Sequence, residues 1–396
     1  MIDGNYIVLR TKNVFIPTLE NLGMAGRAEV SSFSQGSLEI EEVMLSASDR
    51  HDLRQDPNTH AIAPAMPMQL IEPVESSSVA VTADTEHTWG IEAVKATDSN
   101  FDGNGITVAV LDTGIDPNHP AFAGINLVRK NFTSEGDDDQ NGHGTHCAGT
   151  IFGQDVERTR IGIARNIERA LIGKVLGLGG GSSATIAKAI QWAVNEGAHV
   201  VSMSLGIDFP GFVERLTQDY GYHVKPATSL ALEAYRANIN LFSELARFVQ
   251  AQSVFGNGSI IIAASGNESN RPEYEIAVAP PAAGTGIIAV GALGQEANTL
   301  TVAKFSNTQV DISAPGVGVI SAIPGSGLGS KSGTSMATPH VAGVATLWAQ
   351  RQNDTTGHVN RELLISQLIA TATMEPLESV TQAEDVGAGI VQAPIN

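Results

Sequence analysis

The sequence predicts an α/β protein with a central, mostly parallel sheet, preceded by a small α+β region. Three observations predict it. Short strand-like runs alternate with helical stretches from about residue 100 to the end. The runs are apolar residue after residue, as strands covered on both faces are, and do not alternate with polar residues. The first part of the chain lacks this rhythm and carries prolines and a small, polar tether.

Along the chain, NYIVLR (5–10) reads as a strand, and LEIEEVML (38–45) as a second strand or a short helix. Pro64, Pro67 and Pro73 disfavour regular structure in the stretch that follows. VESSSVAVTADTEHT (74–88) reads as a linker, with a boundary near residue 80. The expected division is therefore 1–80 and 81–396. In the second part, Ile106 to Leu111 form a buried-type strand ending at Asp112. RALIGKVLG gives another strand. Ile186, Ala189 or Ile190, and Ala193 repeat at helical spacing, and Gly197 is placed to end that helix. HVVSMSLG, SIIIAASGN, GIIAVGAL and DISAPGVGVISA supply further strands. Residues 208–229 are less regular. Leu230, Ala234, Ala237, Leu241, Leu245 and Phe248 then mark a long amphipathic helix.

Composition narrows the function classes. The chain has 396 residues, 42% hydrophobic, enough for one large core or a core with a small extra domain. A formal charge of −19 argues against a nucleic-acid partner and gives no reason to expect an anionic membrane. The single cysteine, Cys147, excludes an intramolecular disulfide and a thiolate cluster. No basic stretch followed by an apolar run opens the sequence. That points to the cytoplasm, or to the extracellular side if a signal has been removed or export is unconventional. The absence of an HExxH string disfavours a metallopeptidase.

Three small-residue-rich segments carry the chemistry: VAVLDTGID around Asp112, NGHGTHCAGT around His143 and SGTSMATPHVAG around Ser335. A serine hydroxyl needs a neutral imidazole to take its proton, and the imidazole needs a carboxylate to hold its tautomer. Each segment supplies one such group at a strand end or helix start. A helix beginning near Thr334 or Ser335 presents backbone N–H groups to a reacting oxygen, and Pro339 falls inside it. Asn267 in AASGN offers a side-chain amide to the same oxygen. LGLGGGSS is read either as a plain turn or as an edge that pairs with an extended peptide, with SMSLG as the opposite wall.

The joint pattern resembles the subtilisin-like serine peptidase family. VAVLDTGID, HGTHCAGTI, SMSLG, AASGN, FSN at 305–307, SAPG at 313–316 and GTSMATPHVAG occur in the family's order, and HGTHCAGT is similar to the proteinase K branch. The resemblance covers about residues 86–396 and implies a three-layer subtilisin-like fold. It implies a serine endopeptidase with Asp112, His143 and Ser335 as the triad and Asn267 as the oxyanion donor. It places the substrate between Leu178, Gly179, Gly180 and Gly181 on one side and Met203, Ser204, Leu205 and Gly206 on the other. Ala264, Ser265 and Gly266 complete the pocket. Cys147 is expected as a buried small side chain near the site and a point of inhibition by thiol-binding metals.

The small, apolar walls imply broad specificity with an apolar or aromatic residue before the cut, unless Glu273 and Glu275 attract a basic one. The resemblance also implies that residues 1 to about 80 are a prodomain that blocks the cleft and is cut within 68–86, or else an extension that is never removed. The remaining readings are a catalytically decayed binding or inhibitory protein on the same fold, and a peptide acyl transferase. The chemistry requires no cofactor. Structural calcium is considered at Asp155 and Glu157 or at Asp137, Asp138 and Asp139, and no site is assigned. Residues 207–257, longer than in the smallest relatives, either rim the cleft or form an oligomer contact.

Overall fold

The computed structural model describes residues 4–12, 37–77, 86–253, 258–296, 299–375, 377–378 and 381–395. The expected boundary near residue 80 and most of the 74–88 linker lie outside them.

The first strands are β1 (Gly4–Lys12), β2 (Ser37–Leu45) and β3 (Thr59–Pro64), with helix α1 (Ala47–Gln55) between the last two. They form a three-stranded antiparallel sheet in the order β2-β1-β3. Ser46 caps α1 through a capping box with Asp49. Two short strands follow, β4 (Pro67–Leu70) and β5 (Glu75–Ser77). The prolines were expected to prevent such structure. Pro64 ends β3 and Pro67 begins β4, positions where a missing N–H leaves little of the ladder unpaired.

After α2 (Trp89–Ala93) come β6 (Thr107–Asp112), β7 (Leu127–Asn131), α3 (His143–Phe152), β8 (Arg169–Lys174), β9 (Gly181–Ser182), α4 (Ser183–Asn195), β10 (Val200–Met203) and β11 (Leu205–Ile207). Then follow α5 (Phe209–Gln218), α6 (Val224–Gln252), β12 (Ile260–Ala264), β13 (Ile288–Glu296), β14 (Thr299–Val302), β15 (Ile312–Pro315), β16 (Val319–Ala322) and β17 (Leu328–Ser332). Helices α7 (Thr334–Thr356), α8 (Arg361–Thr371) and α9 (Ala383–Val386) complete the described elements. The expectation of irregular structure at 208–229 is corrected by α5. Asp208 caps it by accepting from Gly211 N–H, and Pro210 sits in its first turn, where no N–H is needed.

The central sheet is eight-stranded, in the order β14-β13-β12-β10-β6-β8-β7, with β15 also on β13. Its pairs are parallel except β13–β14. Every residue of β6 is buried. Val108 and Val110 face one core with α3 and α7, and Ala109 and Leu111 face a second with α4 and α6. This two-sided burial explains the uninterrupted apolar strands. Ile7 and Leu9 of β1 join the second core, so the small sheet packs beside α4 and α6. No helix among the described residues is long and apolar enough to cross a membrane.

Candidate active site

The parallel strands deliver their ends to one side of the sheet, and the expected groups collect there. Asp112 is the last residue of β6. Its Oδ1 accepts from the Thr113 backbone N–H at 2.8 Å and lies 2.8 Å from His143 Nδ1. His143 opens α3 directly after Gly142, whose φ of 84° suits glycine. The start of α3 is built around Asp139, a buried carboxylate that accepts from Thr113 Oγ1, Asn141 N, Gly142 N, Thr145 N and Thr145 Oγ1. Burial pushes the Asp139 carboxyl up, but these donors outweigh it and hold its pKa below the usual carboxylate value. Of the neighbouring acids, Asp138 pairs with Arg129 and Asp137 accepts from Asn131. Asp155 pairs with Arg165.

Ser335 is the second residue of α7 and is fully buried. Its hydroxyl donates to the Ile71 carbonyl at 2.9 Å. His143 Nε2, the edge that a serine relay would use, is buried without a hydrogen-bond partner among the described residues. A second polar side chain at the imidazole is Cys147, one turn along α3, with Sγ 3.7 Å from Nδ1. The donor atoms of Asp112, His143 and Cys147 lie within 4.8 Å of one another, close enough to share one soft cation.

These contacts correct the expected Asp112–His143–Ser335 relay, and with it the reading as a working serine endopeptidase. All three side chains are present. The cluster that forms at the imidazole is Asp112–His143–Cys147, and the Ser335 hydroxyl is engaged elsewhere. Cys147 is buried beside the site, as expected, and is in addition a hydrogen-bonding member of it. Its role follows from Pro339. A proline four residues beyond Ser335 has no N–H to give the Ser335 carbonyl. Cys147 Sγ, at 3.4 Å, and Ser204 Oγ, at 3.2 Å, donate to that carbonyl instead. The thiol thus needs its proton, and burial raises its pKa above the ordinary thiol value. Burial pushes His143 down, but the Asp112 carboxylate, 2.8 Å from Nδ1, outweighs it and raises the imidazole above its ordinary pKa. The Ser335 and Cys147 protons are thus both directed at main-chain carbonyls, those of Ile71 and Ser335.

An extended segment of the chain itself lies across this site. Met66 exchanges hydrogen bonds with Ser183. Strand β4 pairs antiparallel with β9 on one side and β11 on the other, with Met68 opposite both Gly181 and Ile207. Ile71 N–H faces Ser204 O at 3.5 Å, and Glu72 O accepts from Asn267 Nδ2 at 2.9 Å. Strand β5 then pairs with β17. Asn267 is fixed from behind, its Oδ1 accepting from Thr334 N–H and Oγ1.

Of the residues expected to wall the cleft, Gly181, Leu205 and Gly206 pair with β4. Leu178, Gly179 and Gly180 form the adjoining turn, Met203 is buried in β10, and Ser204 faces Ile71. Ala264 and Ser265 are buried, and Gly266 N–H donates to Thr334 Oγ1. Ser182, in the LGLGGGSS edge, continues one wall; sequence reasoning missed Ile207, which continues the other, and Thr113 and Thr334, which orient the site. It also missed a strut beneath the 178–181 edge. Buried Lys174 donates to Gly136 O and Asp138 O, and Glu135 beside it accepts from Leu178 N–H. Thr113 and Thr334 each adjoin a recognised motif residue. The strut had no local signal.

The model of the subtilase family matches residues 103–389. The chain belongs to the subtilase family. This subtilase is 33% identical over 322 residues to an alkaline protease of Alkalihalobacillus alcalophilus, covering 80% of this chain and 70% of that protein. It is 36% identical over 270 residues to subtilisin Savinase of Lederbergia lenta, covering 66% and 84%. It is 34% identical over 269 residues to the major intracellular serine protease of Bacillus subtilis (strain 168), covering 65% and 73%. The subtilisin-like fold, a mostly parallel sheet flanked by helices, follows from this membership together with the strand order.

Proposed function

We propose that this chain is a peptide-binding protein on the subtilase fold, whose cleft grips an extended segment without turning it over. The observation that carries the reading is the seating of residues 66–72 between β9 and β11, with Ser335 and Asn267 both donating to the seated backbone. Main-chain pairing of this kind gives affinity for extended peptides with little demand on their side chains. The resident occupant is the chain's own segment, and residues 1–80 act as an intramolecular inhibitor of 81–396. Tethering supports this, because attachment raises the local concentration of the segment and favours occupancy even at modest intrinsic affinity.

The state of the nucleophiles supports the absence of turnover. The Ser335 hydroxyl is committed to Ile71 O, the Cys147 thiol donates to Ser335 O, and His143 Nε2 has no hydrogen-bond partner among the described residues. A serine-directed fluorophosphonate tests the reading on the full chain. No adduct on Ser335 is expected. Rapid stoichiometric labelling of Ser335, absent in Ser335→Ala, overturns it.

A further inference from the structure

We propose that a pocket where the N-terminal sheet and α1 meet the α5–α6 pair takes a short aliphatic carboxylate, and that the filled pocket clamps these parts together. The pocket has a volume of about 80 Å³. It lies away from the cleft, and none of the residues that seat 66–72 lines it. Its occupancy is therefore independent of whether the cleft turns peptides over.

The lining selects the ligand. Ile62, Phe212, Leu216 and Leu230 supply apolar walls, and the short side chains of Ala234 and Ala237, one turn apart on α6, leave the space open. A water molecule takes about 30 Å³, so the space holds roughly three small groups, the size of a propyl tail. Arg50 and Arg54 border the same space from α1, four residues apart and so on one helix face. Arg50 is buried, donates to Leu45 O at 3.0 Å and holds its guanidinium 4.7 Å from the Tyr6 ring centroid, which fixes a positive charge at the wall. Arg54 is exposed and has no carboxylate within ion-pairing distance among the described residues. Glu233, also exposed, is the single acid of the lining, which is thus net positive in a chain of formal charge −19. Apolar walls with a guanidinium at the rim match an alkyl tail with a carboxylate head, which a guanidinium meets through two parallel hydrogen bonds. A ligand that needs walls from both α1 and α5–α6 favours their docked arrangement by mass action.

The probes are butyrate, its neutral isostere butyramide, and acetate, titrated into the full chain by ligand-observed NMR. Butyrate should bind about 10-fold more tightly than butyramide, and, with two further methylenes buried, about 10-fold more tightly than acetate. N-acetylvaline carries its carboxylate behind a peptide group, as a peptide C-terminus does, and should bind less tightly than butyrate. Arg54→Gln should bring butyrate and butyramide within about 2-fold. Glu233→Gln should tighten butyrate, and Ala237→Leu should fill the space and abolish saturable binding. Unchanged melting temperatures confirm that the variants are folded. Saturating butyrate should slow hydrogen exchange in β1 and β3 several-fold. Equal binding of butyrate and butyramide, no saturable binding, a preference that survives Arg54→Gln, or N-acetylvaline binding as tightly as butyrate overturns the proposed ligand. Exchange in β1 and β3 that butyrate leaves unchanged overturns the clamp.

Discussion

Ser335 Oγ donates to the backbone carbonyl of Ile71 at 2.9 Å, and that bond defines the state of the site. The serine faces a peptide carbonyl of its own chain, and the imidazole that would activate it is tied to Asp112 and touched by Cys147. Each consequence can be measured.

His143 should stay charged well above neutral pH. Its pKa is carried up to about 10, whereas burial lowers His146 to about 3 and His199 and His340 to about 4. Histidine titration by NMR should show one imidazole still protonated at pH 8. A folded pKa raised above the unfolded value of 6.5 contributes stability that is fully present below pH 6.5 and lost as pH rises toward 10. Asp112→Asn should flatten that decline in denaturant titrations. A His143 signal that titrates near pH 6.5 contradicts the assignment.

Cys147 should be inert in the folded chain. Its sulfur is buried and its proton is directed at Ser335 O and Ser204. Alkylation by iodoacetamide should follow the rate of unfolding and accelerate in urea in step with it. Fast modification under native conditions would show an accessible thiolate instead. Cys147→Val should cost about 1 kcal/mol, the order of one hydrogen bond, because Ser204 still serves the carbonyl.

The grip on residues 67–70 depends on close backbone approach at Gly180. Its φ is 82°, and a Cβ there would lie 2.7 Å from Met68 O. Gly180→Ala should raise hydrogen exchange of the β4 amides by about 10-fold or more, equivalent to at least about 1.4 kcal/mol, while the central sheet keeps its protection. Unchanged exchange in β4 would place the grip elsewhere.

Asp139 holds the N-terminal turn of α3 through five donors. Asp139→Ala leaves them unsatisfied in a buried site and should cost about 3 kcal/mol or more in chemical denaturation. Its depressed pKa means that its contribution is present above the unfolded value of 3.8 and is lost as pH falls through the folded one. A loss below 1 kcal/mol would show that backbone pairing alone forms the turn.

Much of the frame was legible because it depends on local pattern. Ile106 to Leu111 had to be a covered strand, Asp112 had to fall at its end, and the spacing of Ile186, Ile190 and Ala193 marked α4. What failed depends on partners remote in sequence. Pro67 looked like a breaker because the sequence does not reveal that β9 and β11 flank it. Cys147 was legible as a buried side chain near the site but not as a donor, because its acceptor is a carbonyl 188 residues away, freed by Pro339. The engagement of Ser335 with Ile71 spans 264 residues and leaves no trace in either local motif.

The most direct test is digestion of an unstructured protein by the freshly made full chain, with Ser335→Ala in parallel and products mapped by mass spectrometry. The seated segment and the unassembled relay predict the same intact substrate with both proteins. Peptides that accumulate with the wild-type chain and are absent with Ser335→Ala would contradict this and restore a working serine nucleophile.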